Sequence, residues 1–146
     1  MTVTNIRNAR KYRQTVLLID DQSIVLDIHA AILRSLNMDL KIVKMTNPIN
    51  ALHWMQNKQV DLVITDFRMH EMNGIQFVRI IKDATHDLWR SIIVVTALKD
   101  ETLHKELIAT GASACLTKPA QTQELAILAK LLLDQSKQYY NLGLVD

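Results

Sequence analysis

Val60-Asp61-Leu62-Val63-Ile64-Thr65-Asp66 is a short, mostly apolar run that closes on a carboxylate. A strand with one wet face alternates apolar and polar residues, whereas a strand covered on both faces is apolar almost throughout. The run therefore predicts a central strand in a sheet with layers on both sides. Two other stretches share the pattern: Thr15 to Asp20 (TVLLID), which also ends on acid, and Ser91 to Thr96 (SIIVVT). Leu40 to Met45 and Ser113 to Leu116 read as weaker strands.

Between these runs the spacing of apolar residues becomes helical. Ser23 is placed to N-cap a helix to about Leu36, with Ile24, Ile28, Ala31, Ile32 and Ser35 at helical intervals. Asn47-Pro48 supplies a cap and a proline at the first helical position for a helix to about Asn57. After a loop through Gly74, the stretch from Ile75 to about Ala84 carries Ile75, Val78, Ile81 and Lys82 on one face. Asp100 caps a helix that stops at Gly111, a residue free to take a left-handed C-cap. Lys118-Pro119 breaks the last strand, and Thr122 to about Asp134 forms the last helix.

Strands alternating with helices predict the α/β class: a parallel five-stranded sheet covered on both sides, with right-handed crossovers. Length and strand count match the flavodoxin-like, doubly wound (βα)5 arrangement, whose strand order 2-1-3-4-5 is taken by analogy. One domain is expected over residues 15–134. It lies between a basic N-terminal arm (1–14) and a C-terminal tail or start of a linker (135–146).

The chain has 146 residues and a net charge of +2, unevenly spread. Arg7, Arg10, Lys11 and Arg13 stand without an acid in the first thirteen residues, which leaves the remainder acidic. A basic arm can meet nucleic acid, but no aromatic-basic stripe or helix-turn-helix pattern accompanies it, so a solvated terminus is expected and no direct nucleic-acid contact. Cys115 is the only cysteine, which excludes an intramolecular disulfide and a thiolate zinc cluster and fits a reducing compartment. No run approaches the roughly 18 apolar residues of a membrane span. The expected location is cytoplasmic, with no membrane partner.

In sheets of this kind ligands sit beyond the carboxyl ends of the strands. The predicted strands deliver Asp20 and Asp21, Asp66, Thr96 and Lys118 to that rim. Clustered carboxylates repel one another and need a cation, and hard oxygen donors suit Mg²⁺ or Mn²⁺. One carboxylate oxygen then remains able to attack phosphorus, while Lys118 and the Thr96 hydroxyl can bind the oxygens of the transferred group. The histidines do not form a metal motif: no pair stands at i, i+4 and there is no HExxH. No GxSxG elbow, Walker loop or Rossmann glycine signature supports catalysis on outside substrates.

Asp20-Asp21, then Asp66 with Met69, Met72 and Gly74 (DFRMHEMNG), then Thr96-Ala97, then Lys118-Pro119 resembles the response-regulator receiver domain of two-component signalling. The likeness runs from about Thr15 to Asp134. It implies that Asp66 accepts phosphate from a phosphohistidine on a sensor histidine kinase or histidine phosphotransfer protein. It further implies Mg²⁺ held by Asp21, Asp66 and the backbone carbonyl of Arg68, with Asp20 acting largely through water. Thr96 would move toward the phosphoryl group, Lys118 would pair with it, and the Lys118-Pro119 bond would be cis. The domain would assist only its own phosphoryl transfer and would relay its state to an effector protein.

Three positions depart from the family pattern. His70 replaces a common proline four residues after Asp66, which predicts a looser loop. Cys115 stands three before Lys118, where a switch Tyr or Phe is usual, and Arg68 lies where it can lean over the phosphoryl group. The last helix, Leu125 to Leu133, is apolar on more than one face, which fits extra core burial or a second packed surface: a dimer, an attached domain or the tail (Tyr139, Tyr140, Leu142, Leu144, Val145) folding back, of which a homodimer or partner surface is favoured. The rival readings are the input module of a longer regulator with DNA-binding or enzymatic output, a scaffold that never takes phosphate, and a small hydrolase needing a base beside Asp66.

Overall fold

A computed structural model describes residues 13–84 and 90–141 of the chain. The arm through residue 12 and the tail from residue 142, including Leu142, Leu144 and Val145, lie outside the described residues. The elements are β1 Gln14–Ile19, α1 Ser23–Arg34, β2 Leu40–Met45, α2 Pro48–Met55, β3 Leu62–Asp66, α3 Gly74–Ala84, β4 Ser91–Thr96, α4 Glu101–Thr110, β5 Ala114–Thr117 and α5 Thr122–Asn141. The strands pair in parallel in the order β2-β1-β3-β4-β5, as expected.

Alternation along the strands divides the core in two. Val16, Leu18, Ile64, Ile93 and Val95 pack with Leu26, Ala30 and Leu33 of α1 and Leu125, Ala129 and Leu133 of α5. Leu17, Ile19, Val63, Ile92 and Val94 pack on the other face with α2, α3 and α4 through Met55, Phe77, Ile81 and Leu107. Both faces are covered, which explains why the three central strands are apolar except at their ends, where Gln14, Thr15, Thr65, Asp66, Ser91 and Thr96 lie.

Helix ends follow local chemistry. Asn47 Oδ1 accepts from the amides of Ile49 and Asn50, and Asp100 Oδ1 from those of Thr102 and Leu103. Gly111 closes α4 at φ +131°, a backbone angle that side chains disfavour. At α1 the expected cap is replaced: Gln22, not Ser23, is the N-cap, and its side chain makes no capping bond. Asp20 Oδ1 instead accepts from the Gln22 amide at 2.9 Å, an Asx-type turn that aims the chain into the helix.

Two helices differ from their sequence reading in a second way. Of the α1 residues read at helical intervals, Ile24, Ile28, Ala31 and Ser35 face solvent, with Ile24 64% and Ile28 52% exposed, and Ile32 is buried together with Leu26, His29, Ala30 and Leu33. The last helix continues past Asp134 to Asn141. Ser136 is buried and donates to Asp61 Oδ1 at 2.7 Å, and Asp61 Oδ2 accepts from the Thr15 amide at 2.8 Å. These bonds tie α5 to the amino ends of β1 and β3. Among the described residues no helix is long and apolar enough to cross a membrane.

Candidate functional site

The strand register determines which residues share the upper rim. Ile19 lies level with Met45 and Thr65, Asp66 with Val95, and Thr96 with Thr117. Asp20, one residue past β1, and Lys118, one past β5, therefore emerge beside Asp66 and Thr96. The structure brings together Asp20, Asp21 and Asp66, with one carboxylate oxygen from each lying within 4.8 Å of the others. Asp20 is buried, Asp66 half-buried and Asp21 exposed. The set is all hard oxygen, compact and open on the Asp21 side, which fits a divalent cation of the Mg²⁺ type.

Lys118 reaches across this cluster. Its Nζ lies 2.9 Å from Asp20 Oδ2 and 3.2 Å from Asp66 Oδ1. Burial works against the lysine's charge, but the hydrogen bond to Asp20 and the charges of Asp66 and Asp20 outweigh it, and its pKa rises. For Asp66, burial raises the pKa; Lys118 pulls it down, the Asp20 charge pushes it up, and the net shift is upward. One ammonium against three carboxylates leaves the rim short of positive charge.

The Asp66 carboxylate is oriented as well as charged. Oδ1 accepts from the Phe67 amide at 2.8 Å and faces Lys118. Among the described residues neither of these contacts, nor any other hydrogen bond, engages Oδ2. Thr96 is buried at the end of β4; its carbonyl accepts from the Lys118 amide at 2.7 Å, so the paired strands carry threonine and lysine together. The Thr96 hydroxyl accepts from the Leu98 amide at 3.1 Å. Asp21, Gln22, Asp66, Arg68, Thr96 and Lys118 line a cleft of ≈ 320 Å³ above the rim. Lys118-Pro119 is cis.

The loop after Asp66 folds back tightly. The Gly74 amide donates to the Phe67 carbonyl at 2.7 Å, Arg68 pairs with Asn73, and Glu71 takes a positive φ of 78°. A Cβ on Gly74 would stand 2.9 Å from Phe67 Cδ2 and 3.2 Å from its Cα, so the return needs glycine. Asn73 and Gln76 exchange side-chain-to-amide hydrogen bonds, a capping box for α3. Within this loop His70 is exposed, its Nε2 4.0 Å from Asp21 Oδ2.

Cys115 is half-buried on β5, and burial pushes its thiol pKa up, which makes it a poor nucleophile. Sequence reasoning did not single out Gln22 or Leu98, and it gave His104, inside a predicted helix, no chemical role. Gln22 and Leu98 line the cleft and bond to site residues through backbone amides, which carry no signal in residue type. His104 Nε2 lies 2.9 Å from the Leu98 carbonyl, a contact made by the course of the loop.

Comparison with known proteins gives the family. Residues 16–130 match the family model described as response regulator receiver domain. The cyclic di-GMP phosphodiesterase response regulator RpfG of Xanthomonas campestris pv. campestris (strain 8004) is 27% identical over 123 residues, covering 84% of this chain and 32% of RpfG. A receiver domain protein from Clostridium thermocellum superposes with a TM-score of 0.75 at 25% identity, over 86% of this chain and 98% of its own. The signal receiver domain of an HD domain-containing protein from Pseudomonas fluorescens Pf-5 gives 0.77 at 23% identity, over 88% and 93%. The chain spans about a third of the length of RpfG, as it does of a protein-glutamate methylesterase from Chromobacterium violaceum at 29% identity, covering 78% of this chain and 32% of that protein.

Proposed function

We propose that this chain, which belongs to the response regulator receiver domain family, works as a phosphoacceptor switch on Asp66. The observation that carries the reading is the Lys118 ammonium seated between Asp20 and Asp66 at 2.9 and 3.2 Å, with a third carboxylate beside them. Asp66 Oδ1 is held by Phe67 and Lys118, which leaves Oδ2 as the attacking oxygen. The Oδ2–P bond forms as the P–N bond of a donor phosphohistidine breaks; the imidazole leaves with the bonding pair and takes up a proton. The Lys118 ammonium and the Thr96 hydroxyl donate to the phosphoryl oxygens as charge gathers there. Asp20, Asp21, Asp66 and the backbone carbonyl of Arg68 would hold Mg²⁺ or Mn²⁺. When bound, such an ion supplies the positive charge that lets an anionic phosphoryl group approach three acids.

The donor that fits this chemistry is a sensor histidine kinase or a histidine phosphotransfer protein, and the reader is an effector protein. The exposed pair Ile127 and Leu131, one turn apart on α5, supports a second copy of the chain as a further partner. The relatives' greater length favours one more reading, in which the domain is the input module of a larger regulator. Incubation with phosphoramidate and Mg²⁺, followed by intact mass, tests the switch. One phosphoryl group is expected on the wild type and none on Asp66→Asn. An unmodified wild type that still binds Mg²⁺ would favour the scaffold, and turnover without an adduct the hydrolase.

A further inference from the structure

Arg90 stands at the base of the sheet, one residue before β4, whose far end carries Thr96. At about 3.3 Å per residue this 6-residue strand puts it roughly 20 Å from the acidic rim. The residue is only 5% exposed. Its Nη2 donates to the carbonyls of Met55 and Lys58 at 3.2 and 2.8 Å, which satisfies acceptors at the end of α2. That role uses Nη2 alone. Nε is buried without an acceptor, and among the described residues no hydrogen bond engages Nη1 and no carboxylate pairs with the guanidinium.

Burial disfavours this charge and pushes the Arg90 pKa down, yet a guanidinium keeps its proton in proteins. A second cation lies close: Lys82 Nζ donates to the Arg90 carbonyl at 2.9 Å, and its pKa is lowered by burial and then by the Arg90 charge. Asp61 meets the Ser91 amide through its carbonyl, but its carboxylate is engaged by Thr15 and Ser136. A buried charge without a counter-ion is costly, and an anion on Arg90 would relieve it. Room for one adjoins the side chain. Arg90 and the apolar side chains of Leu52, Met55, Ile80, Ile81 and Ala84 line a cavity of ≈ 160 Å³ on α2 and α3, with the exposed Ile80 at its solvent edge. A dry apolar cavity of about 150 Å³ accepts a benzene ring. A bare inorganic anion would leave these walls without contacts, whereas a ring or branched alkyl group carrying a carboxylate covers them and gives Arg90 its partner.

We propose that this cavity is a binding site for a small free monocarboxylate with a compact apolar body, of the size of benzoate, held by Arg90. The site goes beyond the phosphoacceptor reading and does not depend on it, since no residue of the acidic rim lines it. One carboxylate oxygen accepts from the guanidinium, with the Lys82 charge nearby, and the apolar body lies against Leu52, Met55 and Ile81. A charge-assisted hydrogen bond shielded from water separates the carboxylate from an uncharged amide of the same shape. The apolar walls separate it from phosphate.

The Arg90 Nε–H resonance and the methyl resonances of Met55 and Ile81 report occupancy in titrations of the full chain with benzoate, benzamide and inorganic phosphate. Benzoate should shift all three along one saturating curve. Benzamide should bind about tenfold or more weakly, and phosphate should leave the methyl groups unmoved. Ile80→Asp changes an exposed residue and sets a fixed negative charge at the solvent edge of the cavity, so it should weaken benzoate more than benzamide. Arg90→Gln should bind the two alike; if loss of its bonds to α2 unfolds that variant, Ile80→Asp decides the matter. An absent benzoate response at about 20 mM, above the Kd that a ligand of this size allows, overturns the site. So does an equal response to benzoate and benzamide, saturation by phosphate in place of benzoate, or a benzoate affinity unchanged in Ile80→Asp.

Discussion

His29 is buried on the inner side of α1, and burial pushes its pKa below the ordinary 6.5, with Asp20 opposing and Lys118 adding to the shift. The folded protein therefore takes up this proton at a lower pH than the unfolded chain, which protonates as pH falls through 6.5. The contribution to stability is complete above that value and declines below it, the sign expected for a depressed histidine. Urea midpoints measured at pH 7.5 and 5.5 should fall for the wild type and fall less for His29→Gln; equal slopes would show that His29 is not the group responsible. The acidic rim was legible at this scale: Asp20, Asp21, Asp66, Thr96 and Lys118 are all where strand ends would put them. The orientation of Asp66 was not, because it depends on the Phe67 amide, and an amide is present in nearly every residue type.

At the scale of elements, α1 carries apolar residues on two sides, so helical spacing alone does not say which side meets the sheet. The structure chooses Leu26, Ala30 and Leu33 and leaves Ile24 and Ile28 to solvent. Chemical denaturation separates the two choices: Ile28→Lys should change stability by no more than about 0.5 kcal/mol, whereas Leu33→Ala should cost about 2–5 kcal/mol. The reverse ranking would restore the outward stripe to the core. The last helix likewise has one face against the sheet and Ile127 with Leu131 outside it. If a second copy covers that pair, light scattering of the wild type should show a dimer and the double change Ile127→Asp, Leu131→Asp a monomer. A monomeric wild type at high concentration would remove the homodimer from the account.

At the scale of the whole molecule, the ends of three strands, β1, β3 and β5, bring three carboxylates and one lysine to a single rim, and an ion bound to that excess of negative charge would couple its binding to folding. A ligand that binds only the folded form stabilises it by mass action, about 2.7 kcal/mol at one hundred times its Kd. Thermal unfolding should therefore move up with Mg²⁺, return with EDTA, and respond less in Asp21→Asn, whose exposed side chain can change without disturbing the core. An identical response in that variant would place the ion elsewhere. The sequence alone determined the layered sheet and the membership of its rim, because a strand covered on both faces must be apolar throughout and all parallel strands end on the same side. Tertiary structure decided the inward stripe of α1, the extension of α5 to Asn141 through Ser136 and Asp61, and the hydrogen bonds of Leu98 with Thr96 and His104. Those outcomes depend on partners far apart in sequence or on backbone groups common to all residues, and neither leaves a local pattern to read.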